Sequence, residues 1–333
     1  MIPPHAHLVW LGPRLNALAY LAARSALARG GFTTITLHHD EPLLADDPLV
    51  RDLAARPGFV LSGLDVAALA HTDRPGPEGL GEDVWQRLGH LDRTLALPAS
   101  RSNLHRLQLL WLHGGVYLDT DLLVLRDFRP LLGTPGFGGV ERICFPIEVV
   151  GGRNPLRWAH AGALTALRAA VCRFAPSPGG AFRRVEGLFF LAVNNAVLGA
   201  EPGHPLVRRV LHAAAALSDD DAYRRFRLGP RLLQEVTRNR STADFVLHAP
   251  PAFYPLPPEV CRAYVQDDPD ARLGHVPDER TFAAHLYDSN LRAHLGAPVD
   301  AAYLRRTRGR TLLARMAEPY LDDLFDALRS EAA

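Results

Sequence analysis

Asp119 and Asp121 stand one residue apart inside an otherwise apolar run, Gly114-Gly115-Val116-Tyr117-Leu118-Asp119-Thr120-Asp121-Leu122-Leu123-Val124-Leu125. The flanking residues read as a buried strand, and burying a carboxylate without a partner is costly, so something must compensate the two charges. A divalent cation would do so. Hard cations take carboxylate oxygens, and an ion bridging protein to a diphosphate keeps positions open for ligand or water. Alternate residues of one strand share a face, but a bend at a strand end lets one carboxylate meet a metal while the other meets a sugar hydroxyl. The competing reading is a surface turn whose aspartates cap or solvate.

The elements around the pair favour the first reading. From Ala99 to His113, Leu104, Leu107, Leu110 and Trp111 recur at helical spacing, Gly114-Gly115 ends the run, and Ser100 or Ser102 is placed to cap its start. Helix, two glycines, strand and two aspartates put the acidic pair beyond a strand's carboxyl end, where ligands sit in open α/β sheets. Upstream, the pattern predicts a strand near 7–11, a helix near 15–29, a strand near 33–38 and a Pro/Asp-bounded region to about 98. Pro176-Ser177-Pro178-Gly179-Gly180 reads as a surface loop able to border an acceptor, and Gln266-Asp267-Asp268-Pro269-Asp270 as a solvated acidic turn. Pro319 to Ser330 reads as an amphipathic helix, with Tyr320, Leu321, Leu324, Phe325 and Leu328 on its apolar side. The expected division is one domain over 1–310, with a C-terminal helix over 311–333 docked on it or paired between two subunits of a homodimer.

Composition narrows the class without naming a function. The 333 residues suffice for a substantial core, and a net charge of +1 gives no global field to attract nucleic acid or an anionic membrane. Every basic residue other than histidine is arginine, which leaves arginine as the permanent side-chain cation available to a phosphate. Cys144, Cys172 and Cys261 are scattered and odd in number, which argues against a disulfide framework or a clustered zinc site. No apolar run is long enough to span a membrane, and the N-terminus lacks the pattern of a secretory signal, so a cytoplasmic location is expected.

Ser102-Asn103-Leu104-x-Arg106, then seven residues, then Gly114-Gly115-Val116-Tyr117-Leu118-Asp119-Thr120-Asp121, resembles the glycosyltransferases whose sugar-binding region contains a DXD motif. That group includes the α1,4-galactosyl- and α1,4-N-acetylglucosaminyltransferases, the yeast initiating mannosyltransferases and, more distantly, the clostridial glucosylating toxins. Further blocks fall in the family's order: His7-Leu8-Val9-Trp10-Leu11-Gly12, Thr34 to Asp40, Asn194 to Ala200 with Gly203-His204-Pro205, Gly229-Pro230, Phe253-Tyr254-Pro255 and His285-Leu286-Tyr287-x-Ser289. The resemblance implies an α/β, GT-A-type nucleotide-sugar-binding fold with a mixed, mainly parallel central sheet flanked by helices.

It also implies roles. Asp121 would be the direct ligand of Mn2+ or Mg2+, with Asp119 meeting the ribose and the metal's water shell. His285 and Ser289, in the family's His-x-x-x-Ser element, would complete the metal shell; imidazole suits manganese beside carboxylates. Trp10, flanked by Val9 and Leu11, matches the aromatic that stacks on uracil in the glucosylating toxins, although a core tryptophan would look the same. Arg106, three residues after Asn103 and so on the same helix face, would approach the donor sugar or phosphate unless it simply pairs with a surface carboxylate. Tyr117 would pack behind the acidic strand, and Asn194 or Asn195 would approach the donor sugar or acceptor unless the tandem asparagines make an ordinary turn.

Two positions depart from the family pattern: Asn103 stands where an aspartate usually holds sugar hydroxyls, and Asn290 stands where tryptophan follows the serine. The expected activity is metal-dependent transfer from a nucleotide-sugar, a UDP-sugar before GDP-mannose, with retention of anomeric configuration. Without an evident second carboxylate nucleophile, retention suggests front-face attack. The acceptor, whether glycan, lipid, peptide or natural product, is not encoded in these motifs. The two departures keep open a catalytically silent sugar-nucleotide-binding protein. A haloacid-dehalogenase-type phosphatase would share the hydrophobic strand and Asp-x-Asp, but it wants an early motif and a downstream lysine, and the sequence has no lysine.

Overall fold

Apolar residues on both sides of the first strand dictate a sheet buried on two faces. In β1 (His5–Trp10), Ala6 and Leu8 face one way and His7 and Val9 the other, and all four are buried. In this computed structural model, which describes residues 1–40, 47–73, 78–175, 178–224, 226–238, 244–267 and 277–329, β2 (Thr34–His39) lies parallel to β1, with Val9 opposite His38. β3 (Phe59–Gly63) lies parallel to β2. After the Pro48–Ala54, Val66–His71, Glu82–Thr94 and Pro98–His113 helices, β4 (Gly115–Leu118) enters on the other side of β1, again parallel. β5 (Leu122–Val124) leaves this sheet. β6 (Gly136–Ile143) and β7 (Phe190–Ala200) pair antiparallel across the intervening Pro155–Phe174 and Pro178–Val185 helices. β7 also runs antiparallel to β4, and β8 (Phe245–His248) joins β6 in parallel. The order is therefore β3-β2-β1-β4-β7-β6-β8, and β9 (Ala283–His285) pairs with β5 in a separate two-stranded ribbon.

This is the mixed, mainly parallel α/β sheet flanked by helices that the sequence predicted, with β7 alone running against the other main-sheet strands. One face packs the Ala17–Arg29 and C-terminal helices over Ala6, Leu8, Ile35, Leu37, Val116 and Leu118. The other packs the Glu82–Thr94, Pro98–His113 and Pro205–Ala215 helices over Val9, Tyr117 and Leu198. The alternation of Val116, Tyr117 and Leu118 between the two cores fixes which way β4 delivers the residues after it.

Several local expectations change. Neither Ser100 nor Ser102 caps the Pro98–His113 helix: its N-cap is Leu97, and Pro98 supplies a first-turn φ. Ser102 instead lies 3.0 Å from the Tyr117 hydroxyl. The apolar run after Gly114 is not one strand but two in different sheets, cut at Asp119–Asp121, where Asp119 N–H donates to the Ala196 carbonyl and Leu286 N–H to the Asp121 carbonyl. Gly115 carries a φ of 93°, and a Cβ there would lie 2.5 Å from the His5 carbonyl oxygen, so the entry into β4 requires glycine. The C-terminal helix spans Leu312–Arg329 and runs through Pro319 instead of starting there. Burial of Leu312, Leu313, Met316 and Ala317 outweighs the backbone donor that proline lacks. The Pro178–Val185 helix takes up the end of the first breaker cluster, while Pro176 and Ser177 lie outside the described residues. So do Asp268, Pro269 and Asp270 of the acidic turn.

Histidines crowd the face of β1 and β2 under the end of the Pro98–His113 helix. His7 Nδ1 lies 3.0 Å from His38 Nε2, and His7 Nε2 lies 2.9 Å from the Gly114 carbonyl oxygen, to which it donates. Burial first, and then neighbouring histidines, holds His7 well below its ordinary value and His38 at about 3. Both stay neutral in the fold and gain a proton on unfolding near the ordinary value of 6.5. Their contribution is thus intact above that pH and falls as the pH drops below it, by about 1.4 kcal/mol per pH unit for each imidazole. Urea unfolding between about pH 7.5 and pH 5 should show this slope. A His38→Gln variant should lose one imidazole's share, and an unchanged slope would show that His38 is protonated in the fold.

Candidate active site

The chain moves from β1 to β2 on one side of the sheet and places β4 on the other, which makes the crevice beyond their carboxyl ends a topological switch point. A cavity of about 1000 Å³ opens there. Val9, Trp10 and Leu11 reach it from the end of β1, Asn103 and Arg106 from the Pro98–His113 helix, Tyr117 from β4, and Asp119 and Asp121 from the turn that follows. Asn194 and Asn195 enter from β7, and His285 and Ser289 from β9 and the segment after it. Every site residue singled out in the sequence therefore borders one cavity.

The acidic pair is held from opposite sides. Asp121 Oδ1 lies 3.1 Å from His285 Nε2, and its Oδ2 accepts the Asp288 backbone N–H at 2.8 Å. Asp119 Oδ1 accepts the Tyr117 hydroxyl at 2.8 Å and pairs with Arg106 Nη2 at 3.0 Å, while its Oδ2 lies 4.0 Å from His285 Nε2. One ligand atom each from Asp119, Asp121 and His285 lies within 4.8 Å of the others. Antiparallel pairing of β5 with β9 sets Leu122 opposite His285 and so delivers an imidazole from late in the chain.

These contacts pull the titrations apart. Burial raises the Asp119 carboxyl above its usual range despite Arg106. Burial pushes Asp121 the same way, but the His285 imidazole and the Asp288 N–H overcome it and leave Asp121 low. Burial disfavours charge on His285, yet Asp121, Asp119 and Glu141 together raise it.

Arg106 is buried, its guanidinium 4.3 Å over the Tyr117 ring, and Nη1 donates to the Asn195 carbonyl. It pairs with Asp119 and Asn195 inside the protein while bordering the cavity, so it is not a surface ion pair. Asn195 Nδ2 donates to Asn103 Oδ1 at 2.8 Å. The tandem asparagines sit within β7 and are buried, so they do not form a turn. Trp10 is half-buried, with Nε1 donating to the Arg14 carbonyl. Ser289 is exposed in the first turn of the Asp288–Leu295 helix; its neighbour Asp288, through its N–H, is what reaches Asp121. Asn290 donates to the Pro258 carbonyl at 3.2 Å.

The sequence assigned no role to Glu141 or Tyr287, which also line the cavity. Glu141, on β6, is buried and accepts the Tyr287 hydroxyl on Oε2 at 2.8 Å, and burial raises its carboxyl above the usual range. The only signal was a glutamate inside the glycine-rich apolar stretch Gly136-Phe137-Gly138-Gly139-Val140-Glu141. Tyr287 has a left-handed backbone, φ 58°, costly for a non-glycine residue and concentrated at functional sites. That turn aims the Asp288 N–H at Asp121 while its own hydroxyl holds Glu141.

Residues 69–137 match the family described as the glycosyltransferase sugar-binding region containing DXD motif. The matched segment holds the Pro98–His113 helix, both turn glycines and both aspartates, which are the residues on which the sequence resemblance rests. No curated protein matches the chain. Among solved structures it is similar to the PaToxG glycosyltransferase, at 11% identity and a TM-score of 0.44, over 72% of this chain and 68% of that one. It is also similar to the ligand-free glycosyltransferase domain from the YGT toxin, at 11% identity and a TM-score of 0.42, over 74% of this chain and 80% of that one. The UDP-bound form of that domain gives 11% identity and a TM-score of 0.40, over 74% and 79%.

Tyr287→Phe should remove the hydroxyl that donates to Glu141 Oε2 and cost about 1–3 kcal/mol of stability, as expected for a buried acceptor that loses a donor. Chemical unfolding at neutral pH reads the difference, and a change within error would mean that water replaces the hydroxyl at once.

Proposed function

We propose that the protein is a metal-dependent glycosyltransferase that moves a sugar from a nucleotide-sugar, a UDP-sugar before GDP-mannose, to an acceptor with retention of anomeric configuration. The observation that carries this reading is the convergence of Asp119, Asp121 and His285 at the mouth of a switch-point cavity, with ligand atoms within 4.8 Å of one another. Two carboxylates and an imidazole form a donor set suited to Mn2+ and acceptable to Mg2+. Asp121 and His285 would hold the ion, with Asp119 beside it. When bound, such an ion supplies Lewis-acid neutralisation of a diphosphate leaving group.

The chain's own residues orient the donor. Arg106 and Tyr117 fix Asp119 Oδ1, which leaves Oδ2 turned toward His285 for the ribose or the ion's water shell. The Asn103–Asn195 amide pair presents a neutral donor and acceptor to sugar hydroxyls in place of the family's carboxylate. Trp10, at the end of β1, offers a ring for the base.

Glu141 and Asp288 amend the argument for front-face attack, because carboxylates beyond the acidic pair do line the cavity. Both are nevertheless poor nucleophiles: burial favours the neutral form of each, Tyr287 occupies Glu141 Oε2, and Arg292 pairs with Asp288. In the reading that remains, the acceptor oxygen bonds to the anomeric carbon on the face from which the phosphate oxygen leaves, and the departing diphosphate takes the acceptor's proton.

Two measurements test this. Donor hydrolysis across a panel of nucleotide-sugars should release one nucleotide only when Mn2+ or Mg2+ is present, and Asp121→Asn should lower the rate by a factor of about a thousand, as for loss of a principal electrostatic group. Binding of a donor without turnover, even with acceptors supplied, would favour the silent sugar-nucleotide-binding reading that Asn103 keeps open. Glu141→Gln should retain more than about a tenth of the transfer rate, since a nucleophile's loss costs far more. Abolition with a trapped glycosyl-enzyme in the wild type would replace front-face attack with double displacement, and an inverted product by NMR coupling would remove retention.

A further inference from the structure

The Pro155–Phe174 helix has little cover. Only Ala161 and Leu164 are buried along it, and its outward residues Ala159, Gly162, Ala163, Ala166, Ala169 and Ala170 are all exposed. A surface helix of a globular protein ordinarily turns charge toward water. On this face Arg173 is the charge present. At its N-terminal end Phe145, Val150, Leu156 and Trp158 are 40%, 46%, 78% and 44% exposed, and the Phe145 and Trp158 rings meet at 5.8 Å. Phe145 and Val150 also line the catalytic cavity, so the apolar face continues to its mouth.

Charge identifies what covers such a face. Residues 149–185 contain Arg153, Arg157, Arg168, Arg173, Arg183 and Arg184 and no aspartate or glutamate, in a chain whose net charge is only +1. Arg183 is taken by Asp278 and Glu186. Arg153, Arg157, Arg173 and Arg184 are exposed, with no ion pair among the described residues. A second copy docking through this face would set Arg173 near its own image and bring together the other arginines of a segment that has no carboxylate to pair them. An anionic bilayer meets both demands, since acyl chains take the apolar side chains, headgroups take the arginines, and an exposed tryptophan suits the boundary between them. No helix among the described residues is long and apolar enough to cross a membrane, so the contact would be peripheral.

We propose that the face built by the Pro155–Phe174 helix with Phe145 and Val150 docks on an anionic lipid surface. This stands apart from the catalytic reading, and its test needs no donor or acceptor. The full chain is sedimented with phosphatidylcholine vesicles and with vesicles carrying ~30% phosphatidylglycerol, a content that gives a surface potential able to hold basic segments. Binding is expected on the anionic vesicles, at least about tenfold stronger than on the neutral ones, weakened at high salt, and accompanied by a blue shift of tryptophan emission. Arg153→Glu with Arg157→Glu, and separately Leu156→Ser with Trp158→Ser, should each weaken it by about tenfold or more, and circular dichroism should match the wild type. If a variant fails to fold, the salt and lipid dependence of the wild type decides. Equal binding to both vesicle types, no binding to either, or charge reversal without effect would overturn the proposal. So would a concentration-dependent dimer in light scattering that protects Trp158 from a quencher, which would make a second copy the occupant.

Discussion

The contact between Asp121 and His285 is the constraint on which the rest of this molecule turns. The two residues are 164 positions apart, and their side chains meet at 3.1 Å because β9 pairs with β5 immediately after the acidic turn. The ribbon these strands form is too short to be stable by itself. It is held because Leu122, Leu123, Val124, Ala283 and Ala284 are all buried in the core beneath it, so hydrophobic packing, not the charge pair, supplies the energy. The charge pair spends that energy on placing two carboxylates and an imidazole where none of them is well solvated. In the folded chain each relieves the other: His285 draws Asp121 down, and Asp121 draws His285 up. Such mutual dependence is that of a buried acid–imidazole pair, each partner stabilising the charged form of the other.

The reversed strand β7 serves the same end from the other side. As the one strand running against the sheet, it carries its central residues past the carboxyl end of β4, where Ala196 accepts the Asp119 N–H. One position along, Asn195 is gripped twice by a single helix: Arg106 takes its carbonyl and Asn103 its side-chain amide. A parallel strand at this place would have ended with the others and brought nothing across. The antiparallel insertion converts an ordinary switch-point crevice into a cavity with a polar wall on each side.

The parts of this arrangement legible in the sequence were those written locally. Periodicity located β1, β2, the Ala17–Arg29 helix and the Pro98–His113 helix to within a few residues, and the glycine pair with the two aspartates marked the turn. The family's order of motifs supplied His285, which no local pattern could have tied to Asp121. The roles of Glu141 and Tyr287 were missed because they lie in a contact between β6 and the segment after β9; Glu141 stands in no motif, and the block that contains Tyr287 gave it no partner. The run from Val116 to Leu125 looked like one strand because burial, not sheet membership, sets its composition; β4 and β5 are equally apolar and belong to different sheets. Ser100 and Ser102 looked like caps because serine favours that position, but Pro98 fixed the helix start first and left Ser102 free to face Tyr117.

Asn103, where the family that the sequence resembles usually has an aspartate, is fitted into the same wall. An aspartate there would add a third negative charge to the neighbourhood of Asp119 and Arg106, and Arg106 is already committed to Asp119 and to a backbone carbonyl. The amide avoids that conflict. Its oxygen accepts from Asn195, and the backbone of Gly229 packs closely against its side chain. A Cβ at Gly229 would come within 2.7 Å of the Asn103 amide nitrogen, so the segment carrying Gly229-Pro230 and the helix carrying Asn103 are fitted to each other. Asn103 is thus embedded in its surroundings, with its amide oxygen engaged by Asn195 and its side chain packed against the Gly229 backbone.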